Sequence, residues 1–238
     1  SYIRIMKRVT FIALLIVQFS IFILQSSMAQ IGSWRAYMSY YEPQQIAKAG
    51  SNTLFVRASN SLYSYNMNDK SITTYDKVNS LSDTYITLIA WNQQVKQLII
   101  IYQNSNIDLI DLDGNVTNIS SLYAKSMTDN KTVNTVYIYG KYAYLGTGFG
   151  VVKVNMDYAE ISDSYNLGRD IRAITIEGTN IYVKNAYGSV FVAPLNGNLL
   201  DKNNWVYTLD YPSMEEDNTE WDIARSEERR IGKECRSR

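Results

Sequence analysis

The sequence predicts an all-β protein, a partial β-propeller of about four blades with four antiparallel strands in each blade. Similar segments recur about every 40 residues, as propeller blades do. Each segment contains short apolar runs separated by polar or Gly-containing turns, and 20 Tyr against only 3 Pro favour pleated strands. Between Gln30 and Asp210, no stretch has the apolar period of a convincing helix.

Each repeat supplies three strands, and a preceding apolar run supplies a fourth. The repeats begin near Asn52, Lys96, Lys141 and Thr179. The runs YITLIAW, VNTVYIYG and IRAITIEG precede the last three repeats. The blades are therefore expected around residues 46–83, 84–130, 131–170 and 171–210. Together they form a partial first propeller within residues 30–224, with a ring that this stretch does not close.

Turn chemistry supports this division into strands. The dipeptides Asp113–Gly114 and Asn196–Gly197 are typical of tight hairpins in which both central residues adopt positive φ. They predict short connections between the third and fourth strands of the second and fourth blades.

The stretch YAYLGTGFGVVKVN raises a choice between a ligand-binding loop and a blade turn. Its turn residues are Gly146, Thr147, Gly148 and Gly150. A phosphate-binding loop needs a helix directly after it, whereas an apolar strand follows here. We therefore predict the turn between the second and third strands of a blade, with Gly148 and Gly150 permitting a tight turn and close strand approach.

Both ends of the sequence differ from the repeats. Lys7 and Arg8 precede an apolar run of about sixteen residues and then SSMAQ, which predicts a signal peptide over residues 1–29. Residues before Met6 are interpreted as upstream read-through, and cleavage is expected between Ala29 and Gln30. The alternative is an N-terminal membrane anchor, for which the run is short. Residues 225–238 are predicted to be a non-native tail.

Composition narrows the possible chemistry. The chain has no His, which removes the commonest general base and the usual zinc ligand. The single Cys allows no internal disulfide. We therefore assign no catalytic, cofactor-binding or metal-binding residue and predict a protein that is not an enzyme. The repeats are mildly acidic once both ends are set aside, which argues against nucleic-acid binding.

Two groups of acidic residues are candidate sites. Asp108, Asp111 and Asp113 lie close together, as in a calcium loop, but the spacing to Gly114 does not match an EF-hand, and a solvated hairpin turn is the simpler interpretation. The pair Glu215 and Glu216 would suit glycoside hydrolysis, but a loop before the next blade strand is the simpler interpretation.

The stretch AYLGTGFGVVKVN resembles the blade motif of two-component-regulator propellers. Together with IGSWRAYMSYYEPQQIAKAG, YDKVNSLSDTYI and LIIIYQNSNIDLID, it looks like the N-terminal part of the PorZ family of the Bacteroidetes type IX secretion system. The resemblance spans about Gln30 to Asp222. PorZ-like proteins carry two seven-bladed propellers and a C-terminal β-sandwich export signal.

That resemblance implies a non-catalytic module exported through the periplasm to the outer-membrane cell surface. Its implied partners are a sortase and other proteins of the attachment complex, with anionic lipopolysaccharide as a further partner. Two alternatives remain open, namely the extracellular sensor propeller of a hybrid two-component histidine kinase and a propeller-fold carbohydrate-active enzyme.

Overall fold

The computed structural model describes Tyr40 and residues 42–214. The predicted cleavage site at Ala29–Gln30, the pair Glu215–Glu216 and the predicted tail over residues 225–238 all lie outside the described residues.

The described residues form short strands joined by short loops. In chain order the strands are β1 (Pro43–Ala49), β2 (Thr53–Ala58), β3 (Ser61–Asn66), β4 (Ile72–Tyr75), β5 (Ile86–Asn92), β6 (Gln97–Tyr102), β7 (Ile107–Asp111), β8 (Val116–Ile119), β9 (Val133–Tyr139), β10 (Tyr142–Thr147), β11 (Gly150–Asn155), β12 (Glu160–Asn166), β13 (Ile171–Glu177), β14 (Asn180–Asn185), β15 (Val190–Pro194) and β16 (Val206–Thr208). A single-turn helix α1 (Ser121–Ala124) follows β8, and a 3₁₀ turn (Lys202–Asn204) precedes β16. No helix among the residues described here combines the length and the apolar character that a membrane span requires.

The strands are grouped into four antiparallel sheets of four strands. The sheets contain β1 to β4, β5 to β8, β9 to β12 and β13 to β16, each paired in sequence order. The first strands of successive sheets contact one another, β1 with β5, β5 with β9 and β9 with β13. These first strands therefore form the inner edge of a row of four blades. The predicted partial, unclosed propeller is confirmed.

Three apolar clusters hold neighbouring blades together. Blades 1 and 2 meet around Phe55, Leu62 and Ile100. Blades 2 and 3 share an aliphatic cluster that includes Ile99 and Leu145. Blades 3 and 4 share a cluster in which tyrosines lie beside aliphatic side chains. Because each fully buried Leu or Ile side chain contributes roughly 1.5–3 kcal/mol, these interfaces supply much of the stability of the row.

Two predicted turns differ from the structure. Neither Asn196 nor Gly197 has positive φ, and the two residues lie in a longer connection that contains the 3₁₀ turn. The Gly197 amide donates to the Pro194 carbonyl at 2.9 Å, and an added Cβ would lie 2.9 Å from the Pro194 Cγ, so Gly is required here for space. In the other pair, Gly114 alone adopts positive φ, because the turn is built on the Asp111 side chain.

Candidate functional site

The glycine-rich stretch of blade 3 forms the turn between β10 and β11. The Thr147 side chain is fully buried, and its hydroxyl donates to the Gly150 carbonyl at 2.9 Å. The same hydroxyl accepts from the Gly150 amide at 3.2 Å. One side chain therefore closes the turn. Its hydroxyl oxygen is occupied by these hydrogen bonds to the backbone of Gly150.

The glycines of this turn lie against neighbouring backbone and side chains. A Cβ on Gly148 would lie 2.7 Å from the Asn130 carbonyl oxygen, and one on Gly146 would lie 2.6 Å from the Thr135 Cγ2. Gly150 has a φ of +154°, and a Cβ there would overlap the Tyr165 carbonyl oxygen. Since protein atoms fill the space beside all three glycines, the turn offers no cradle for a phosphate.

The carboxylate of Asp108 is buried at the interface of blades 1 and 2. It accepts from the Tyr102 hydroxyl at 2.6 Å, from the Ser82 amide at 2.8 Å and from the Asn118 side-chain amide at 2.7 Å. Burial raises the pKa of Tyr102, and the hydrogen bond to Asp108 raises it further. The tyrosine therefore remains a neutral donor, and Asp108 ties the loop between the blades to β7.

The carboxylate of Asp111 organises the turn that follows β7. It accepts from the amides of Asp113 and Asn115 at 2.9 Å, and from the Asn115 side chain at 2.9 Å. Burial alone would raise the pKa of Asp111, but hydrogen bonds led by that from the Asn115 side chain outweigh burial and lower it. In the residues that the structure describes, no three Cys, Asp or Glu side chains gather as metal ligands.

A cavity of about 470 Å³ lies between the turns of blades 1 and 2. Its polar lining consists mainly of amides, with one indole and one ammonium group, from Asn52, Asn66, Asn68, Trp91, Gln93 and Lys96. The Trp91 indole nitrogen donates to the Gln93 side chain at 2.9 Å, and its ring stacks on Phe55 with centroids 6.0 Å apart. The lining contains no carboxylate, so it suits binding of a polar molecule better than acid–base chemistry.

Sequence reasoning did not identify this cavity. Its lining residues come from separate turns of two repeats, and an isolated Asn in a turn is ordinary turn chemistry. A useful signal would have been the shared position of the turns, since those after the first and third strands of a blade lie at one end of the sheet.

The arrangement of blades matches one known family. The family model of the PorZ N-terminal β-propeller domain of the type IX secretion system matches residues 54–206. PorZ from Porphyromonas gingivalis, an essential bacterial surface component of that system, has a similar solved structure, with a TM-score of 0.69 and 27% sequence identity. The similarity covers 74% of this chain and 24% of PorZ, so the chain spans about a quarter of that protein.

Extracellular domains of other bacterial proteins share the fold. The extracellular domain of the one-component system BT4673 from B. thetaiotaomicron has a TM-score of 0.56 at 16% identity, covering 78% of this chain and 25% of that chain. That of the hybrid two-component system BT3049 has a TM-score of 0.53 at 18% identity, covering 75% and 24%. At such identities the likeness shows the fold alone. Among curated proteins, none matches the sequence.

The family match includes strands from all four blades and covers more than half of the chain. The chain therefore belongs to the PorZ N-terminal β-propeller family.

Proposed function

We propose that this chain is a non-catalytic propeller module of a PorZ-like cell-surface component of type IX secretion. In this role it assists cargo processing and attachment to anionic lipopolysaccharide by contacting protein partners and glycan. The observation that carries the proposal is the family match over residues 54–206, together with 27% identity to a surface component of that system.

The chemistry of the described residues supports a binding role. The buried carboxylate of Asp108 and the turn carboxylate of Asp111 accept hydrogen bonds from their own blades. The Thr147 hydroxyl closes a turn. These polar groups stabilise strands and turns within single blades, whereas the cavity between blades 1 and 2 presents amides and an indole, which are groups suited to contact.

The choice between secretion and sensing rests on the family match. Both kinds of protein use four-stranded blades, so the fold alone does not separate them. The match to the PorZ domain favours secretion, because it is a match of sequence over four blades.

A blade exchange in P. gingivalis tests the proposed role. Residues 43–208 would replace the corresponding four blades of PorZ, and a matched exchange would use the blades of BT3049. We expect the first exchange to retain cargo carrying anionic lipopolysaccharide in the outer-membrane fraction, and the second to release unprocessed cargo. Immunoblots of the fractions measure both. A first exchange that reaches the surface but leaves cargo unprocessed would contradict the proposal.

The non-catalytic part of the proposal has its own test. The purified chain is expected to cleave neither peptides nor glycans. Reproducible cleavage that disappears in Glu215→Gln or Glu216→Gln would show that the module is an enzyme.

A further inference from the structure

The inner strand of every described blade contains a β-bulge at the same position. In β1, Pro43 pairs with Ala58 and Gln45 with Arg57, so Gln44 has no partner on β2. Equivalent shifts in the register of the other three inner strands leave one residue unpaired in each, at Thr87, Asn134 and Arg172. A bulge redirects a side chain, and bulges are common beside binding sites.

The four bulged residues, here named the bulge row, are all polar. The residue before each of them is apolar, namely Pro43, Ile86, Val133 and Ile171. Gln44, Thr87 and Asn134 are half-buried, and Arg172 is exposed. Four different side chains share one property at one position of the repeat, which indicates a common polar surface along the inner edge of the blades.

The carboxylate of Asp170 links two members of the row, Asn134 of blade 3 and Arg172 of blade 4. The Asn134 side-chain amide donates to the Asp170 carboxylate at 2.7 Å and to the Ile171 carbonyl at 3.0 Å. The Arg172 guanidinium donates to the other oxygen of Asp170 at 2.6 Å. Asp170 therefore balances the charge of Arg172 and fixes the orientation of both bulged side chains.

At the other end of the row, no described carboxylate balances the charge of Arg57. Its side chain is buried, with 4% exposed, and one terminal nitrogen donates to the Gln44 side-chain oxygen at 2.5 Å. Its Nε has no hydrogen-bond acceptor, and no carboxylate of the described residues forms an ion pair with it. A buried guanidinium without an anionic partner is unfavourable, so this position favours an acceptor.

The inner edge also accepts peptide-like groups. The inner strands lie at the ends of their sheets, where one side of the backbone has no neighbouring strand within the sheet. At blade 2 the side-chain oxygen of Gln45, an amide oxygen like that of a peptide group, accepts from the Ile89 amide at 2.8 Å. The molecule thus already shows an amide from another strand bound to this edge.

We propose that the bulge row and Arg57 bind an extended polypeptide segment that carries a carboxylate. The carboxylate interacts with Arg57, and carbonyl groups of the segment accept from Gln44 and Arg172. An extended ligand is required because the row is distributed over four blades. This site goes beyond the role proposed above and stands independently of it.

A titration of the full chain tests the site with two extended peptides and one small sugar acid. The first peptide is a capped Gly/Ser chain of about twelve residues, roughly 40 Å long when extended, with one Glu near one end. The second has Gln in place of that Glu, and glucuronate carries the same carboxylate. Nuclear magnetic resonance follows the Nε–H signals of Arg57 and Arg172. We expect saturable shifts with the Glu peptide, binding about tenfold weaker with the Gln peptide, and no saturation with glucuronate.

Variants locate the binding and control for folding. Arg57→Gln, Arg172→Gln and Asn134→Ala should each weaken binding of the Glu peptide, by about tenfold for the first. If Arg57→Gln fails to fold, Arg172→Gln and Asn134→Ala still test the site, because Arg172 is exposed and Asn134 is half-buried. The matched control is Arg169→Gln, because Arg169 lies on the loop that precedes β13, three residues before Arg172, but stacks on Phe191 at 4.1 Å from the ring centre. It should bind like the unaltered chain.

Three results would overturn the proposal. Equal binding of the Glu and Gln peptides would show that the site does not recognise a carboxylate. Saturable binding of glucuronate alone would indicate an acidic glycan in place of a polypeptide. An absence of saturable shifts, or equal weakening by Arg169→Gln and Arg172→Gln, would show that the row is not the site.

Discussion

The two interfaces of blade 3 bury similar strands with different chemistry. On the side of blade 2, Leu145 and Val152 pack among Ile, Leu and Val side chains with only one aromatic, Phe149, among the fully buried members. On the side of blade 4, the buried members include Tyr144, Tyr165 and Trp205. Leu145 and Tyr144 are consecutive residues of β10, so the alternation of one strand separates two kinds of core.

This difference shows that the two faces of one blade can pack against chemically different neighbours. The aliphatic interface depends on close packing, since its side chains have no polar atoms. The tyrosine interface brings hydroxyl groups into a buried region, and it therefore responds to pH. At its margin, the Lys153 ammonium lies 4.3 Å from the Tyr142 ring centre and 3.8 Å from the Asp163 carboxylate.

The largest expected effect comes from Gly150→Ala, which should break both interfaces of blade 3. The new methyl group would overlap the Tyr165 carbonyl, so β12 must move away from β11. We expect a loss of roughly 4 kcal/mol or more in the free energy of unfolding, measured by urea denaturation.

The matched control is Gly114→Ala, where φ is also positive but nothing lies within 4 Å of the added Cβ. It should cost only about 1 kcal/mol, from backbone strain. Similar losses for the two variants would show that overlap beside Gly150 is not the cause.

Leu145→Ala should weaken the aliphatic interface by about 3 kcal/mol, because it leaves a cavity in a fully buried cluster. Tyr144→Phe, at the next residue of the same strand, should change the free energy of unfolding by less than about 1 kcal/mol at neutral pH. Denaturation curves measure both. If Leu145→Ala were as mild as Tyr144→Phe, the aliphatic cluster would not be closely packed.

Alkaline pH should weaken the tyrosine interface without any mutation, because its tyrosines titrate there and the aliphatic interface has none among its buried members. Burial raises the pKa of Tyr144 to about 12, and nearby tyrosines and Asp163 contribute further. Burial likewise raises the pKa of Tyr165. Since an unfolded tyrosine titrates near 10, the stabilisation that these groups give is complete below about pH 10 and is lost as pH rises towards 12.

Hydrogen exchange at rising pH, corrected for the intrinsic rate, measures this loss. Amides of β13 and β14 should lose protection as the pH rises towards 12, and Tyr144→Phe should reduce that loss. An equal loss in the variant and the unaltered chain would contradict an effect of the Tyr144 hydroxyl.

The smallest effect should come from Lys153→Met, which removes the charge at the margin of the tyrosine interface. A partly exposed pair of this kind contributes roughly 0.5 kcal/mol and is screened by salt. Thermal melting at low and high ionic strength checks it. A difference between the variant and the unaltered chain that does not shrink with salt would exclude an electrostatic origin.

The blades were predictable because their signals are local. Runs such as LIIIY have strand composition, and the Gly-rich turn after β10 marks a boundary between strands. The first strand of blade 1 was not recognised as an apolar run, because PQQIAKA has little apolar character. Its place in the sheet follows from pairing with β2, which is a tertiary property.

The sites were much less predictable. A bulge such as that at Gln44 or Asn134 exists only relative to the pairing partner, and one sequence does not contain the register. Arg57 lies on a strand as an ordinary alternating residue, and only its burial without a carboxylate makes it notable. The prediction of a tight hairpin at Asn196–Gly197 was wrong for a similar reason, because the close contact of Gly197 with Pro194 depends on the folded backbone.

The buried Asp108 has a consequence for the order of folding. Its hydrogen bond to the Ser82 amide joins residues 26 positions apart, so the loop that leads into blade 2 is held by the third strand of that same blade. Closing such a loop loses chain entropy before any contact compensates for it. A ribosome releases the chain from its N-terminal end, so the loop over residues 76–85 cannot form the hydrogen bond from Ser82 to Asp108 until β7 has emerged.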